Sequence, residues 1–425
     1  MAMIRPETEM KDSGVQWIGD IPSSWTIFPA NGVFSEVKEK NMDLKLTNAF
    51  SFKYGEIVDK KQVGDVDNNL KETLSSYTIV RKNTIMINGL NLNYDFVSQR
   101  VAIVNESGVI TSAYLAIQPD ENKINPRFVL YLLKSYDYQQ VFHGLGSGIR
   151  KTLKYQDFKK IMIVAPTLSK QQAIADYLDE TCSKIDEIIA EAKASIDEYK
   201  ELKQAVIFEA VTKGLDKNVE MKQCSVNWLD EIPSTWESIR LKYLLTEINN
   251  RSETGTEQPL SVSQVMGVVP SYMIAVANPT ASYVGQKIVE PNDIVFNKLK
   301  AHLGVFFMSK YHGLVSPDYA VYRTNDKVIP KYLEYLFHTS ACISEFKKYI
   351  SGVAEGLMRL YTSDLFNIRI CLPKVDEQIQ IVEYVENKVE LFDSLITEKE
   401  SLINDLEAYK KSLIYEVVTG KRRVV

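Results

Sequence analysis

The side chains of this chain that could do chemistry are not spaced for catalysis. Its four histidines (His143, His302, His312, His338) show no metal-ligand spacing, and its four cysteines (Cys182, Cys224, Cys342, Cys371) include no Cys-x-x-Cys pair. There is no Gly-x-x-x-x-Gly-Lys-Ser/Thr phosphate loop and no Asn/Asp-Pro-Pro-aromatic motif, and Gly144-Leu145-Gly146-Ser147-Gly148 fails the dinucleotide fingerprint. What remains is hydrogen-bonding and phosphate-pairing capacity. In the first half it gathers at Lys53-Tyr54 with Lys60-Lys61, at Asn88-Gly89-Leu90-Asn91-Leu92-Asn93-Tyr94, and at Gly148-Ile149-Arg150-Lys151. Asn, Arg and Lys are the types that reach base edges and phosphates. Asn and Gly also favour solvated turns for backbone reasons alone, so the asparagine loop carries both readings. The glycine segment before Arg150-Lys151 reads as a hinge or nucleic-acid-facing loop rather than a nucleotide cradle.

These segments need a framework, and 425 residues with 45% apolar content supply enough core for two or three domains. No run of about 18 apolar residues occurs, and the opening MAMIRPETEMKDSG has no apolar core of the signal-peptide kind. With scattered cysteines, the expectation is a cytoplasmic protein without a membrane span. The net charge of −5 is unevenly placed: residues 166–215 hold 6 Lys/Arg against 10 Asp/Glu, and residues 373–420 hold 5 against 11. The rest is close to neutral or basic, which neither demands nor forbids a basic face.

The chain is written twice. Val15-Gln16-Trp17-Ile18-Gly19-Asp20-Ile21-Pro22-Ser23-Ser24-Trp25 recurs as Val226-Asn227-Trp228-Leu229-Asp230-Glu231-Ile232-Pro233-Ser234-Thr235-Trp236, and all four tryptophans lie in this element. They read as anchors of each first strand to the core rather than as stacking platforms. Residues 166–213 align with 373–420 without a gap, giving 13 identities in 48 positions. Between these ends the offset wanders: 83–88 answers 292–297, Tyr114 answers Tyr319, and Pro126-Arg127-Phe128 answers Pro330-Lys331-Tyr332. A shared framework with different loop lengths does this, and loops carry recognition.

Short apolar runs (Thr84–Ile87, Val101–Val104, Ala113–Ile117; Ile294–Phe296, Val305–Met308, Tyr319–Tyr322) predict strand-rich domains over 1–165 and 216–372, with short helices at Phe128–Lys134 and Tyr332–Phe337. Residues 166–215 and 373–425 predict long helices, the second with a basic tail. Ser169-Lys170-Gln171-Gln172 suggests a capping box, and Gly214 and Gly420 mark the stops. Leu178, Ile185, Ala192, Tyr199 and Val206 recur every seven residues, with Ile188 and Leu202 assigned to the second seam position. The other copy offers Val385, Phe392, Leu406 and Leu413 with Leu395, Leu402 and Tyr409, interrupted at Lys399. At 1.5 Å per residue such helices span roughly 65–70 Å and pair most simply with each other. The expected fold is therefore α+β: two strand-rich domains separated by two long helices in an antiparallel coiled coil, with a pseudo-twofold internal repeat.

"KDSGVQWIGDIPSSW" with its copy "NWLDEIPSTW", the helix starts "APTLSKQQAIADYLD" and "LPKVDEQIQIVEYVE", and the endings "IFEAVTKG" and "IYEVVTGK" resemble specificity subunits of type I restriction-modification enzymes over nearly the whole chain. The resemblance implies two target-recognition domains, each reading one half of a split, asymmetric site in double-stranded DNA. It implies a non-catalytic subunit whose helices set the gap and dock two methyltransferase and two restriction subunits. S-adenosylmethionine, ATP and Mg would then be used by those partners, with no cofactor or metal on this chain. In the second half the repeat matches Asn297-Lys298-Leu299-Lys300-Ala301-His302 to the asparagine loop, and 351–359, ending in Arg359, to the glycine segment. The resemblance places both at or near DNA; ordinary surface charge is the other reading of Lys298, Lys300 and Arg359. Gln264, Tyr272 and Asn278 are further candidates. The competing function is a protein scaffold with two protein-binding domains on a helical ruler; a nuclease would need a carboxylate cluster with metal spacing.

Overall fold

The computed structural model describes residues 3–60, 68–96, 99–146, 148–149, 151–226, 228–274, 282–351 and 359–424. The chain divides into two compact units, Met1–Ala192 with Ser401–Val425, and Lys193–Glu400. The first begins with β1 (Met3–Ile4), β2 (Met10–Asp12), β3 (Asp20–Pro22), β4 (Thr26–Pro29), β5 (Phe34–Glu36), β6 (Ala49–Lys53), β7 (Glu56–Asp59), α1 (Asn68–Ser76), β8 (Thr78–Val80) and β9 (Ile85–Ile87). It continues through β10 (Val101–Ile103), β11 (Gly108–Ile110), β12 (Leu115–Pro119), α2 (Pro126–Tyr138), α3 (Tyr155–Phe158) and β13 (Met162–Ala165) into α4 (Leu168–Lys213). Two four-stranded sheets form, in the orders β10-β9-β12-β5 and β7-β6-β11-β8. β8, β9 and β11 are buried at every position and, apart from Thr78 and Gly108, are made of large apolar residues. Helix α2 starts where the Asn125 side chain accepts the N–H groups of Arg127 and Phe128, with Pro126 in the first turn.

The second unit repeats this plan with β14 (Met221–Gln223), β15 (Glu231–Pro233), β16 (Glu237–Arg240), β17 (Leu245–Ile248), β18 (Leu260–Ser263), β19 (Gly267–Pro270), β20 (Lys287–Val289), β21 (Ile294–Asn297) and β22 (Phe306–Met308). There follow β23 (Gly313–Val315), β24 (Tyr319–Thr324), α5 (Pro330–Phe337), α6 (Ser340–Lys348), α7 (Thr362–Leu365), β25 (Arg369–Leu372) and α8 (Val375–Val418), whose residues from Ser401 on belong to the first unit, as does β26 (Arg422–Arg423). The order β22-β21-β24-β17 reproduces the first unit's β10-β9-β12-β5. The second sheet survives as the pairs β18-β19 and β20-β23, joined by a parallel bridge Pro259↔Leu314 where β6 and β11 run parallel in the first unit. The shared framework read from the wandering offset is present strand for strand.

Conserved joints within the repeat explain its motifs. Lys11 Nζ donates to the carbonyls of Ser23 and Trp25, both at 2.9 Å, and Lys222 Nζ grips Ser234 and Trp236 in the same way at 2.7 and 2.6 Å. Trp25 and Trp236 are buried and Trp17 and Trp228 half-buried, so the tryptophans are anchors. Gln171 and Gln378 are both buried at the helix starts. Gln171 Nε2 donates to Pro166 O at 2.9 Å while its Oε1 accepts the Asn125 N–H at 2.7 Å; Gln378 does the same with Pro373 O at 3.0 Å and the Ile329 N–H at 2.8 Å. Helix α4 begins at Leu168, so Ser169 lies inside it and the expected capping box does not form.

In each unit a segment of α4 packs against a segment of α8. In the first, Asp186 pairs with Lys410 at 2.6 Å; in the second, Lys203 pairs with Asp393 at 2.6 Å and Tyr199 lies 6.3 Å from Phe392, centroid to centroid. Within the second unit Gly214 abuts Glu377 while Lys203 meets Asp393, so the segments run antiparallel. The first seam position holds as expected at Leu178, Ile185, Tyr199, Val206, Val385, Phe392, Leu406 and Leu413, all buried or half-buried. The second needs correction. Ile188, Leu202, Leu402 and Tyr409 are exposed, and the position four residues on from the first is used instead, by Cys182, Ile189, Ile196, Lys203 and Ala210 in α4 and by Ile403 and Lys410 in α8. Leu395 is half-buried. The lysines disguised that stripe, because a lysine stem can lie along a seam while its ammonium reaches an outer carboxylate. In the first unit β1 pairs antiparallel with β26, tying the two chain ends together.

Candidate nucleic-acid interface

In the first unit the asparagine loop and the glycine segment, distant in sequence, form one surface. Leu92 N–H donates to Lys151 O at 3.1 Å, Leu153 N–H to Gly89 O at 2.9 Å, and Asn93 Nδ2 to Ile149 O at 3.1 Å. Gly89 is required here, since a Cβ would stand 2.7 Å from that of Leu153. Asn88 is half-buried and its Oδ1 accepts the Leu90 N–H, so it shapes the loop rather than facing solvent. Asn93 is half-buried too, with an Oδ1 that has no partner in the structure. Asn91, Tyr94 and Lys151 are exposed. Lys61 and Arg150, with Asn278 of the second half, lie outside the described residues.

The residue that holds this surface up is Arg100, which the sequence reading did not single out. It is fully buried. Its guanidinium donates to the carbonyls of Asn88, Leu90 and Asp95 at 2.8, 2.9 and 2.6 Å, and approaches the Asp95 carboxylate at 3.5 Å. Its backbone N–H donates to Asp137 at 2.7 Å. Burial pushes the Asp137 carboxyl up to about 6, against the opposing pull of that N–H. His143 Nε2 lies 2.9 Å from Asp95 O, and its ring stacks 5.0 Å from the exposed ring of Phe96. A buried cation with three loop carbonyls was invisible because arginine composition signals a surface.

The hairpin β6–β7 turns on Tyr54-Gly55, both at positive φ (48° and 78°), leaving the Tyr54 side chain 85% exposed beside exposed Lys53. A Cβ on Gly55 would stand 2.8 Å from Gln99, the neighbour of Arg100, so this tip adjoins the loop. Lys60 is exposed, with Nζ 3.2 Å from the Tyr77 hydroxyl.

The second unit brings its two candidate segments together in the same way. Residues Lys298–Leu303 form a 3₁₀ stretch kinked at Lys300, and Leu360 N–H donates to Lys298 O at 3.1 Å. Lys300 and His302 are exposed and Arg359 is half-buried, its backbone bridged to Ser351. Lys298 is half-buried and its ammonium lies 3.5 Å from Glu247, which also faces Lys287 at 3.9 Å. Gln264 and Tyr272 are exposed, and Gln264 Nε2 reaches Leu303 O at 3.5 Å. No group of three or more His, Cys, Asp or Glu poised for a metal occurs among the described residues. No described helix is long and apolar enough to cross a membrane.

Two copies of one strand framework, each offering a polar and basic loop surface, are what a two-part DNA reader requires. The family model for the type I restriction modification DNA specificity domain matches twice, at residues 22–198 and 233–407. The chain belongs to this family of specificity subunits. It is similar to the putative type I restriction enzyme MjaX specificity subunit of Methanocaldococcus jannaschii (22% identity, covering 96% of each chain). It is also similar to the EcoKI specificity subunit of Escherichia coli (21% identity, 95% of this chain and 90% of the relative). Among solved structures, a chain from a study of assembly and conformational transition of the type I R-M system superimposes with a TM-score of 0.70 at 14% identity, covering 94% of this chain and 98% of the other. The HsdS subunit from Thermoanaerobacter tengcongensis does so with a TM-score of 0.56 at 16% identity, covering 94% and 98%.

Proposed function

We propose that this chain reads a split, asymmetric site in double-stranded DNA, one half per strand-rich domain, and carries no catalytic centre of its own. In this reading the two recognition domains are 1–165 and 216–372, with 166–215 and 373–425 as the helical parts. The observation that carries the reading is the repeated pairing of two sequence-distant loop segments on one framework, with different residues in each copy. In the first domain the readers are Asn91, Asn93, Tyr94 and Lys151, flanked by Lys53, Tyr54 and Lys60, with Asn88 as a shaping residue; Lys61 and Arg150 complete the set. In the second they are Lys300, His302 and Arg359, with Lys298 partly engaged by Glu247.

The exposed apolar residues on the helices support docking of modification subunits. The first unit carries Ile188, Leu402 and Tyr409 there, and the second carries Leu202 and Leu391. Leu202 and Tyr409 are repeat mates, which fits one modification subunit per unit and hence two, with two restriction subunits attached to the assembly. Exposed apolar side chains on an otherwise acidic helix mark an interaction face. S-adenosylmethionine, ATP and Mg would act in those partners, in the cytoplasm.

The test is footprinting of the chain, co-purified with its modification subunits, on genomic DNA fragments. Two protected blocks separated by a constant gap are expected. Protection of one continuous block, or none beyond non-specific binding, would remove the reading.

A further inference from the structure

The hairpins β6–β7 and β18–β19 occupy the same place in the two units, but their tips differ. The first presents Tyr54-Gly55; the second presents residues 264–266, in which Val265 is 92% exposed and Met266 about half exposed. This tip is held in shape from below. Ser263 Oγ accepts the N–H groups of Val265 and Met266, both at 3.2 Å, and Gly267 follows at φ 71°, where a Cβ would meet the Phe307 ring at 3.2 Å. It adjoins the 3₁₀ stretch through the contact of Gln264 with the Leu303 carbonyl, so exposed Leu303 extends the apolar patch and exposed Lys300 and His302 border it.

Apolar side chains lifted on a two-stranded ribbon beside cations fit a nucleic-acid surface that offers an apolar feature next to phosphates. On base edges that feature is the C5-methyl of thymine, in the major groove, which is wide enough to admit a β-ribbon. The geometry points to the 264–266 tip as the element that reads thymine methyl groups in the second domain's half-site, through Val265 and Met266. This rests on the DNA-reading function above and names the chemistry by which one domain achieves part of its selectivity. Tyr54, with a hydroxyl at the corresponding tip, gives the first domain a hydrogen-bonding aromatic instead.

The test uses the complex of this chain with its modification subunits and a duplex bearing its mapped site, with each thymine replaced in turn by uracil, which removes only the methyl. At one or more thymines of a single half-site the replacement weakens wild-type binding about fourfold, the value of burying one methyl-sized group. Val265→Ala/Met266→Ala weakens binding to the thymine duplex and no longer distinguishes thymine from uracil at those positions, while responses in the other half-site stay unchanged. Val265→Ala alone serves as a milder variant, and an unchanged melting temperature shows that the fold is intact. Retention of the full wild-type thymine preference at every position by both variants would overturn the proposal. So would an equal loss on thymine and uracil duplexes accompanied by reduced DNA bending, which would mark a minor-groove wedge. If the wild-type complex does not prefer its mapped site over unrelated duplex, the underlying DNA-reading function fails instead.

Discussion

The connection after β9 and the one after β21 leave the same strand of the same sheet and solve the same problem with different means. In the first unit the chain takes a long excursion between Asn88 and Arg100, in which the carbonyls of Asn88, Leu90 and Asp95 face inward and join no strand ladder. Arg100, buried at its end, donates to all three. In the second unit the excursion is short, 298–305, and closes on itself as a 3₁₀ stretch with the Asn297 side chain capping the Leu299 N–H. The residue matching Arg100 is Val305, also buried. One framework can thus exchange reading loops provided each loop brings its own means of satisfying its backbone.

The largest difference between the units should therefore appear at this pair. Arg100→Met removes the donor to the carbonyls of Asn88, Leu90 and Asp95, of which Asp95 O keeps His143 Nε2 beside it, and is expected to destabilise the first unit by on the order of 3 kcal/mol. Val305→Ala is expected to cost about 1–2 kcal/mol, chiefly lost apolar burial. Thermal or denaturant unfolding monitored unit by unit would distinguish them; equal costs would mean that Arg100 does not carry the loop's backbone. At the shared joint the units should instead agree. Gln171→Leu and Gln378→Leu each remove a buried amide that satisfies backbone groups on both sides of the helix start, at about 2 kcal/mol apiece.

For DNA, Lys300→Ala is expected to lower the slope of log affinity against log salt by about one, the contribution of a single phosphate contact. Lys298→Ala should lower it less, because Glu247 already takes part of that charge. Identical slopes for both variants would place Lys298 on the DNA despite its partner. The Asp137 carboxyl gives a pH test confined to the first unit. Its folded-state value, about 6, lies above the ordinary 3.8, so folding takes up a proton between these values. The burial cost is present above pH 6 and vanishes as pH falls through that window. Asp137→Asn should thus gain melting temperature over wild type at pH 8, keep about half of that advantage at pH 5 and lose most of it by about pH 4. The smallest effects belong to the repeat-mate ion pairs Asp186–Lys410 and Lys203–Asp393. Both carboxylates are exposed, so Lys203→Met and Lys410→Met should each change stability by less than about 1 kcal/mol, and by similar amounts.

Much of the framework was legible in the sequence because duplication supplied an internal alignment. Each apolar run at 83–88 or 101–104 had a counterpart with the same pattern, and the glycines after α4 and α8 marked helix ends by their positive φ. The seam was half legible. The seven-residue spacing from Leu178 identified one stripe, but Lys203 and Lys410 concealed the other, since charge at a seam reads as an interruption until its partner carboxylate is known. Ile188, Leu202, Leu402 and Tyr409, placed at the seam on hydrophobicity, turned out to face outward. Of the candidate interface, composition found the loops but not their adjacency. The contacts between 88–94 and 149–153 join segments that no local pattern relates, and Arg100 gives no local sign of its role.

In the proposed function, two versions of one framework read two different half-sites. Genome-wide mapping of methylated adenines in cells carrying the intact system tests it most directly. The predicted result is a single motif of two non-identical blocks separated by a constant number of unspecified bases. A continuous motif, or two identical blocks, would contradict it.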